Sequence, residues 1–264
     1  MSSDMQAAFQ KATIAAETFV RQIRQHESVD STNNAALASC QTDRPQLPLL
    51  VLATRQTAGR GRGSNAWWST HGALTFSLVI QPADLGIDPH LWPQASLTSG
   101  LAVCCAVDEL LPHDQVLLKW PNDVYVRNRK VAGVLVELGP RANGTMVIGI
   151  GVNVNNTWQN APAELQEIGT SLQDVTGQSL CLNQVLIAIL RQLERQLTRL
   201  GHRDEQLAAD WQRRCALAGK NVQIVSQGRH TTGACQGIDA DGALLLQTAD
   251  GLARFFSGVV AKSW

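Results

Sequence analysis

The chain has 264 residues, 44% apolar and 17% charged, so it can bury a sizeable core and is too apolar to stay disordered. Its 22 basic and 22 acidic residues cancel, which leaves no excess positive charge for general binding to a polyphosphate backbone. Six cysteines (Cys40, Cys104, Cys105, Cys181, Cys215 and Cys235) form no C-x-x-C pair and sit in no His/Cys cluster with ligand spacing, so they read as buried, reduced thiols of a cytoplasmic protein. There is no signal-peptide apolar region and no transmembrane run.

In chain order, Phe9, Ala12, Ala16, Phe19, Val20 and Ile23 recur at helical spacing, which predicts one amphipathic helix over residues 5–25. Asp30 and Ser31 are caps for a short helix over 34–39. A strand over 49–54 precedes a segment rich in Gly, Ser and Thr, and the β-prone run 73–80 follows it. A long buried helix spans 92–111, then strands occupy 116–119, 130–138 and 145–154, the last two joined by a turn at Asn143-Gly144. Amphipathic helices over 182–200 and 205–215 lead to Gly219. Beyond it, short β-prone runs at 222–225, 231–238, 243–247 and 252–256 have the pattern of a small barrel.

Two segments carry the chemistry. Thr57-Ala58-Gly59-Arg60-Gly61-Arg62-Gly63 is a glycine loop with two guanidinium groups, a combination suited to phosphate and carboxylate oxygens. The loop is expected to order over an anionic ligand. Gly61-Arg62-Gly63-Ser64-Asn65-Ala66 matches a dinucleotide fingerprint in letters only, because a Trp pair and a strand follow instead of a helix. No Gly-Lys-Ser/Thr completes a phosphate-binding P-loop. In Lys119-Trp120-Pro121-Asn122-Asp123 the proline ends a strand and leaves polar side chains at its tip. From spacing alone, the loop also fits an ordinary glycine turn and Lys130 also fits edge protection.

These segments, with Lys130-Val131-Ala132-Gly133-Val134-Leu135-Val136-Glu137, Ile148-Gly149-Ile150-Gly151-Val152-Asn153 and Asp30-Ser31-Thr32-Asn33, strongly resemble the biotin protein ligases. Gly237-Ile238-Asp239-Ala240-Asp241-Gly242-Ala243-Leu244 resembles that family's end domain. The resemblance implies an α+β fold, with a central mixed β-sheet flanked by helices and then a small SH3-like β-barrel. It divides the chain into an N-terminal helix (1–27), a biotin/lipoate ligase-like catalytic domain (28–217) and a barrel (218–264).

The implied activity is that of an ATP-dependent ligase using biotin, ATP and Mg²⁺. Biotin is activated as biotinyl-5′-AMP with release of pyrophosphate, then passed to a lysine of a biotin carboxyl carrier protein. Carried over by position, Ser31, Thr32, Asn33, Gln56, Arg60, Gly61, Arg62 and Lys130 are expected to bind biotin, and Lys119, Asn122, Asn153 and Trp67 the nucleotide. Lys130, Arg62 and Asp123 are the expected catalytic set. Asp123 is left three roles: contact to Mg²⁺, proton acceptor, or orienter of Lys130.

The sequence departs from the family pattern at Gly63-Ser64-Asn65, where many relatives carry more Arg or Lys, and at Val259, where a Glu often follows the glycine. A lipoate or octanoate ligase and a non-catalytic biotin-sensing module are the alternatives. Residues 1–30 are expected to hold one helix and a linker, too little for a helix-turn-helix repressor domain. Neither nucleic acid nor membrane is an expected partner, and the sequence leaves monomer and homodimer open.

Overall fold

The computed structural model describes residues 9–42, 45–68, 70–139, 144–158 and 161–263. In chain order these form α1 (Lys11–Glu17), β1 (Gln22–Val29), α2 (Thr32–Thr42), β2 (Leu49–Gln56) and β3 (Leu74–Ile80). Next come α3 (Ala95–Leu110), β4 (Val116–Lys119), β5 (Asp123–Val126), β6 (Arg129–Leu138) and β7 (Met146–Val152). The helices α4 (Ala163–Gln166), α5 (Leu172–Thr176), α6 (Leu182–Gly201) and α7 (Gln206–Arg214) follow. The chain ends in β8 (Asn221–Ser226), β9 (Arg229–Ile238), β10 (Leu244–Thr248), β11 (Gly251–Phe255) and β12 (Val259–Ser263).

The first seven strands form one sheet in the order β1-β2-β3-β7-β6-β5-β4, with β1 and β2 parallel and every other pair antiparallel. Alternation along these strands separates two faces. Leu50, Leu52, Leu74, Phe76, Leu78, Ile148, Ile150 and Val152 join the large core beneath α3 and α6. Leu49, Val51, Val79 and Val147 pack with Ala36 and Cys40 of α2 on the opposite face. The last five strands form an antiparallel sheet in the order β11-β10-β9-β8-β12. It is seated on the first domain by Trp120 Nε1, which donates to Gly242 O at 3.1 Å, and by Gln212, which accepts from Ile238 N at 2.7 Å and donates to Gln236 O at 3.0 Å. A mixed sheet flanked by helices and followed by a small SH3-like β domain is the expected fold class.

The single helix expected over residues 5–25 is corrected wherever the chain is described; residues 5–8 lie outside the described residues. Helix α1 stops at Glu17 because Thr18 turns extended (φ −137°, ψ 171°), its hydroxyl capping Ile14 O at 2.7 Å. The next stretch pairs with β2 from Gln22↔Leu49 to Val29↔Gln56, so the central sheet begins before residue 28. A buried strand partner outweighs a modest helical periodicity. Helix α3 starts at Ala95, three residues later than expected, after a 3₁₀ turn over Pro89–Gln94 that contains Pro93. Proline lacks the N–H that a helix interior uses. The thiols are also more varied than expected: all six are free, but Cys181 is exposed and Cys105 half-buried.

Candidate active site

Glycine placement opens the site on the α2 face of the sheet. In β7 the residues Val147, Gly149 and Gly151 share that face, and register sets Gly133, Leu135 and Glu137 of β6 beside them. A Cβ added to Gly149 would collide with the amide of Asn33, and one added to Gly151 with the indole of Trp67. The missing side chains therefore leave room for two ligand-facing groups above the sheet centre. The cavity there has a volume of about 270 Å³.

At one end of the cavity the start of α2 meets β2 and β3. Asp30 fixes the entry to the helix: its Oδ1 accepts from Ser31 N at 2.6 Å and its Oδ2 from Asn34 Nδ2 at 2.6 Å. These two hydrogen bonds hold the Asp30 carboxyl below the usual carboxylate range. Gln56 Oε1 accepts from Thr32 N at 2.7 Å, and Ser77 Oγ lies 2.8 Å from Thr32 Oγ1 and 2.6 Å from Asn33 Oδ1. Ser31, Thr32 and Asn33 are all buried.

Lys130 reaches the cavity through a β-bulge. The β5–β6 register shifts between Val124↔Ala132 and Tyr125↔Lys130, so Lys130 shares a face with Asp123 and Gly133 where a regular ladder would present Val131. Its backbone is pinned from the other side, Lys130 N donating to Ile168 O at 2.8 Å and Lys130 O accepting from Thr170 N at 3.0 Å. The ammonium lies 2.6 Å from Asp123 Oδ1 and 5.6 Å from the centre of the Trp67 ring. Asn122 Nδ2 donates to Val134 O at 2.6 Å.

The cationic loop folds as a small hairpin: Arg60 bridges Ala66, and Gly61 N donates to Asn65 O at 2.7 Å. Arg60 forms a two-pronged ion pair with Glu137 (2.6 and 3.1 Å) and donates to Asn34 Oδ1 at 2.7 Å. Arg62 Nη1 donates to Gly258 O at 2.8 Å, tying the loop to the turn between β11 and β12. Burial lowers the pKa of its guanidinium, opposed by the charge of Asp123.

The opposite end is aromatic. Trp68 and Trp158 have ring centres 5.1 Å apart at 54°, and Trp67, Leu165 and Ile168 complete the lining. The indole N–H groups of Trp67 and Trp158 are buried with no hydrogen-bond partner among the described residues. Asn153 is buried beside this end, its Oδ1 accepting from Asn156 Nδ2 at 3.1 Å.

Ser31, Thr32, Asn33, Gln56, Arg60, Gly61, Arg62, Trp67, Asn122, Asp123, Lys130 and Asn153 thus line one cavity. Lys119 does not. It pairs with Asp123 across β4 and β5 and places its ammonium 5.2 Å from the Tyr125 ring, where burial lowers its pKa. The sequence assigned no role to Ser77, Glu137, Trp68 or Trp158, which become neighbours only in the fold. One local signal was available: Ser171-Leu172-Gln173-Asp174 is a capping box that starts α5, and the segment before it carries Ile168 and Gly169 into the lining. Among the described residues no group of three or more His, Cys, Asp or Glu could hold a metal ion, and no helix is long and apolar enough to cross a membrane.

The model of the biotin/lipoate A/B protein ligase family matches residues 26–155, the part of the chain that holds most of the mixed sheet and its cation-rich cavity. The biotin protein ligase C-terminal domain model matches residues 218–263. The chain is 33% identical to the biotin–[acetyl-CoA-carboxylase] ligase of Mycobacterium tuberculosis over 86% of its own length and 83% of that protein. It is 31% identical to the bifunctional ligase/repressor BirA of Bacillus subtilis over 88% of its length and 71% of that protein. Its structure matches the Aquifex aeolicus biotin protein ligase in complex with biotin and ATP with a TM-score of 0.78, at 29% identity, over 90% of this chain and 97% of that one. The chain belongs to the biotin protein ligase family and is an enzyme, a ligase.

Proposed function

We propose that this enzyme activates biotin with ATP as biotinyl-5′-AMP and transfers the biotinyl group to a lysine of a biotin carboxyl carrier protein. The observation that carries the proposal is the position of Lys130. Its ammonium stands 5.6 Å from the centre of the Trp67 ring, in a cavity also lined by Asn33, Gln56, Trp158 and both loop arginines. The A. aeolicus protein of the same fold is described in complex with biotin and ATP.

In the first step an oxygen of the biotin carboxylate attacks the α-phosphorus of ATP. The bond to the bridging oxygen breaks and pyrophosphate leaves. Two anions must approach each other, and charge builds on the α-phosphoryl oxygens as they do. Lys130 and Arg62 are the cations of the lining that can meet that charge, which is where preorganised electrostatics act most strongly, while Arg60 is held by Glu137. Asp123 orients Lys130 through their 2.6 Å ion pair. The Asn33, Thr32, Ser31 and Gln56 groups hold the ureido head, and Trp67, Trp158, Asn153 and Asn122 take the nucleotide. Mg²⁺ would draw on the ATP phosphates and on Asp123, the one carboxylate in the described lining, and would neutralise phosphate charge.

In the second step the neutral amine of the carrier lysine attacks the mixed-anhydride carbonyl, the C–O bond to phosphate breaks and AMP departs. The test is pyrophosphate release from biotin and ATP, followed by a mass increase on the carrier lysine. Release that depends on octanoate or lipoate instead of biotin would move the enzyme to the rival substrate class. Biotin binding without pyrophosphate release would make it a sensing module.

A further inference from the structure

We infer that Glu137 is a positioning residue that sets the donor and acceptor pattern presented to biotin and holds the cationic loop over it; this rests on the proposed biotin-binding role of the cavity. Glu137 does not itself line the cavity. Its side chain is 23% exposed and stands on the α2 face of β6, next to Leu135.

The carboxylate uses both oxygens. Oε1 lies 2.6 Å from Arg60 Nη2, while Oε2 accepts from Asn33 Nδ2 at 2.8 Å and from Arg60 Nη1 at 3.1 Å. Which end of the Asn33 amide is oxygen and which is nitrogen is decided by its partners. Glu137 Oε2 and Leu135 O, 3.3 Å from the Asn33 amide nitrogen, can only accept, so the nitrogen must face them and Asn33 Oδ1 must face Ser77.

The consequence then propagates one hydroxyl at a time. Ser77 owns one proton, and it goes to Asn33 Oδ1 at 2.6 Å because that oxygen cannot donate. Thr32 Oγ1 then has two acceptors for its proton, Ser77 Oγ at 2.8 Å and Gln56 Oε1 at 3.1 Å, and Gln56 Oε1 also accepts from Thr32 N at 2.7 Å. The Gln56 amide nitrogen is left as the donor. A ureido group offers one carbonyl acceptor and two N–H donors, so a binding pocket must fix which of its own groups donate. Glu137 fixes the Asn33 and Ser77 members of that set, while the Thr32 backbone N–H fixes Gln56.

The same carboxylate docks the loop. Arg60 is held by Glu137 on one side and by Asn34 Oδ1 at 2.7 Å on the other, and Asn34 is held in turn by Asp30. One charged group thus couples the polar end of the cavity to its mouth. Such coupling between linked polar groups is measurable as non-additivity.

The experiment compares Glu137→Gln, Ser77→Ala and the double variant with the wild type in pyrophosphate release, varying biotin and ATP separately. Glu137→Gln keeps the shape but removes the charge, and it should raise KM for biotin about tenfold or more with KM for ATP nearly unchanged. Ser77→Ala should raise KM for biotin as well, and the double variant should be less impaired than the product of the two single effects. An unaltered KM for biotin in Glu137→Gln overturns the inference, as do equal changes in both KM values or strictly multiplicative effects in the double variant. A wild-type enzyme that releases no pyrophosphate with biotin overturns the underlying proposal, which makes the two failures distinguishable.

Discussion

Lys130 Nζ and Asp123 Oδ1 lie 2.6 Å apart, a contact that exists only because a bulge in β6 turns Lys130 to the face on which Asp123 stands. The proposal makes Lys130 the principal cation at the reacting atoms. Lys130→Ala should lower the rate of adenylate formation by about a hundredfold or more, the scale on which a preorganised charge acts. Asp123→Asn keeps the cation but loosens it, so its loss should be smaller. Single-turnover pyrophosphate release measures both, and wild-type adenylation by Lys130→Ala would remove Lys130 from the mechanism.

Arg62 makes its described hydrogen bond to Gly258 O, 196 residues away in sequence. Arg62→Ala cuts the link between loop and terminal domain and removes a charge from the cavity. Adenylate already formed should then escape about tenfold faster or more, with a smaller effect on its formation. Trapping released adenylate in a chase without carrier protein reads this directly. Retention equal to the wild type would show that the loop does not hold the intermediate.

The two site glycines of β7 should separate the halves of the cavity. In Gly149→Ala the new methyl meets the Asn33 amide, and in Gly151→Ala it meets the Trp67 indole. Overpacking of this kind costs about 1–3 kcal/mol. Gly149→Ala should raise KM for biotin more than KM for ATP, and Gly151→Ala should do the reverse. Identical profiles for the two variants would contradict the assignment of the two ends.

Burial lowers the Lys119 pKa below its ordinary 10.5, with Lys130 and Lys220 adding to the fall and Asp123 opposing it. The unfolded chain therefore binds a proton that the folded chain binds less well. In that case folding stability rises with pH between the lowered value and 10.5, as the buried charge is lost. Lys119→Met removes this contribution. Urea midpoints measured from pH 8 to 10 should climb less steeply, relative to pH 7, in the variant than in the wild type.

Some of the architecture is local and so was readable before folding. The runs at 49–54, 73–80 and 145–154 are rich in β-branched and apolar residues, and the strands before and after the expected turn do pair antiparallel, although Asn143 of that turn lies outside the described residues. Residues 22–25, expected in a helix, are strand, and only their parallel pairing with β2 makes them one. The four-residue strand β5 was missed since so short a run between turns has no periodicity to detect.

The site divides along the same line. The sequence by itself determined which groups are at hand, namely two arginines among glycines, a lysine and a carboxylate near a proline, and glycines alternating with Ile in β7. Tertiary structure decided which of them meet. Lys130 enters the cavity because a bulge, invisible in composition, turns it to the face of Asp123, while Lys119, on that same face but out on the edge strand β4, stays beside Tyr125. Glu137 finds Arg60 and Asn33 across 77 and 104 residues of chain, and hydrogen bonds at that separation depend on sheet order and register, which no local pattern encodes.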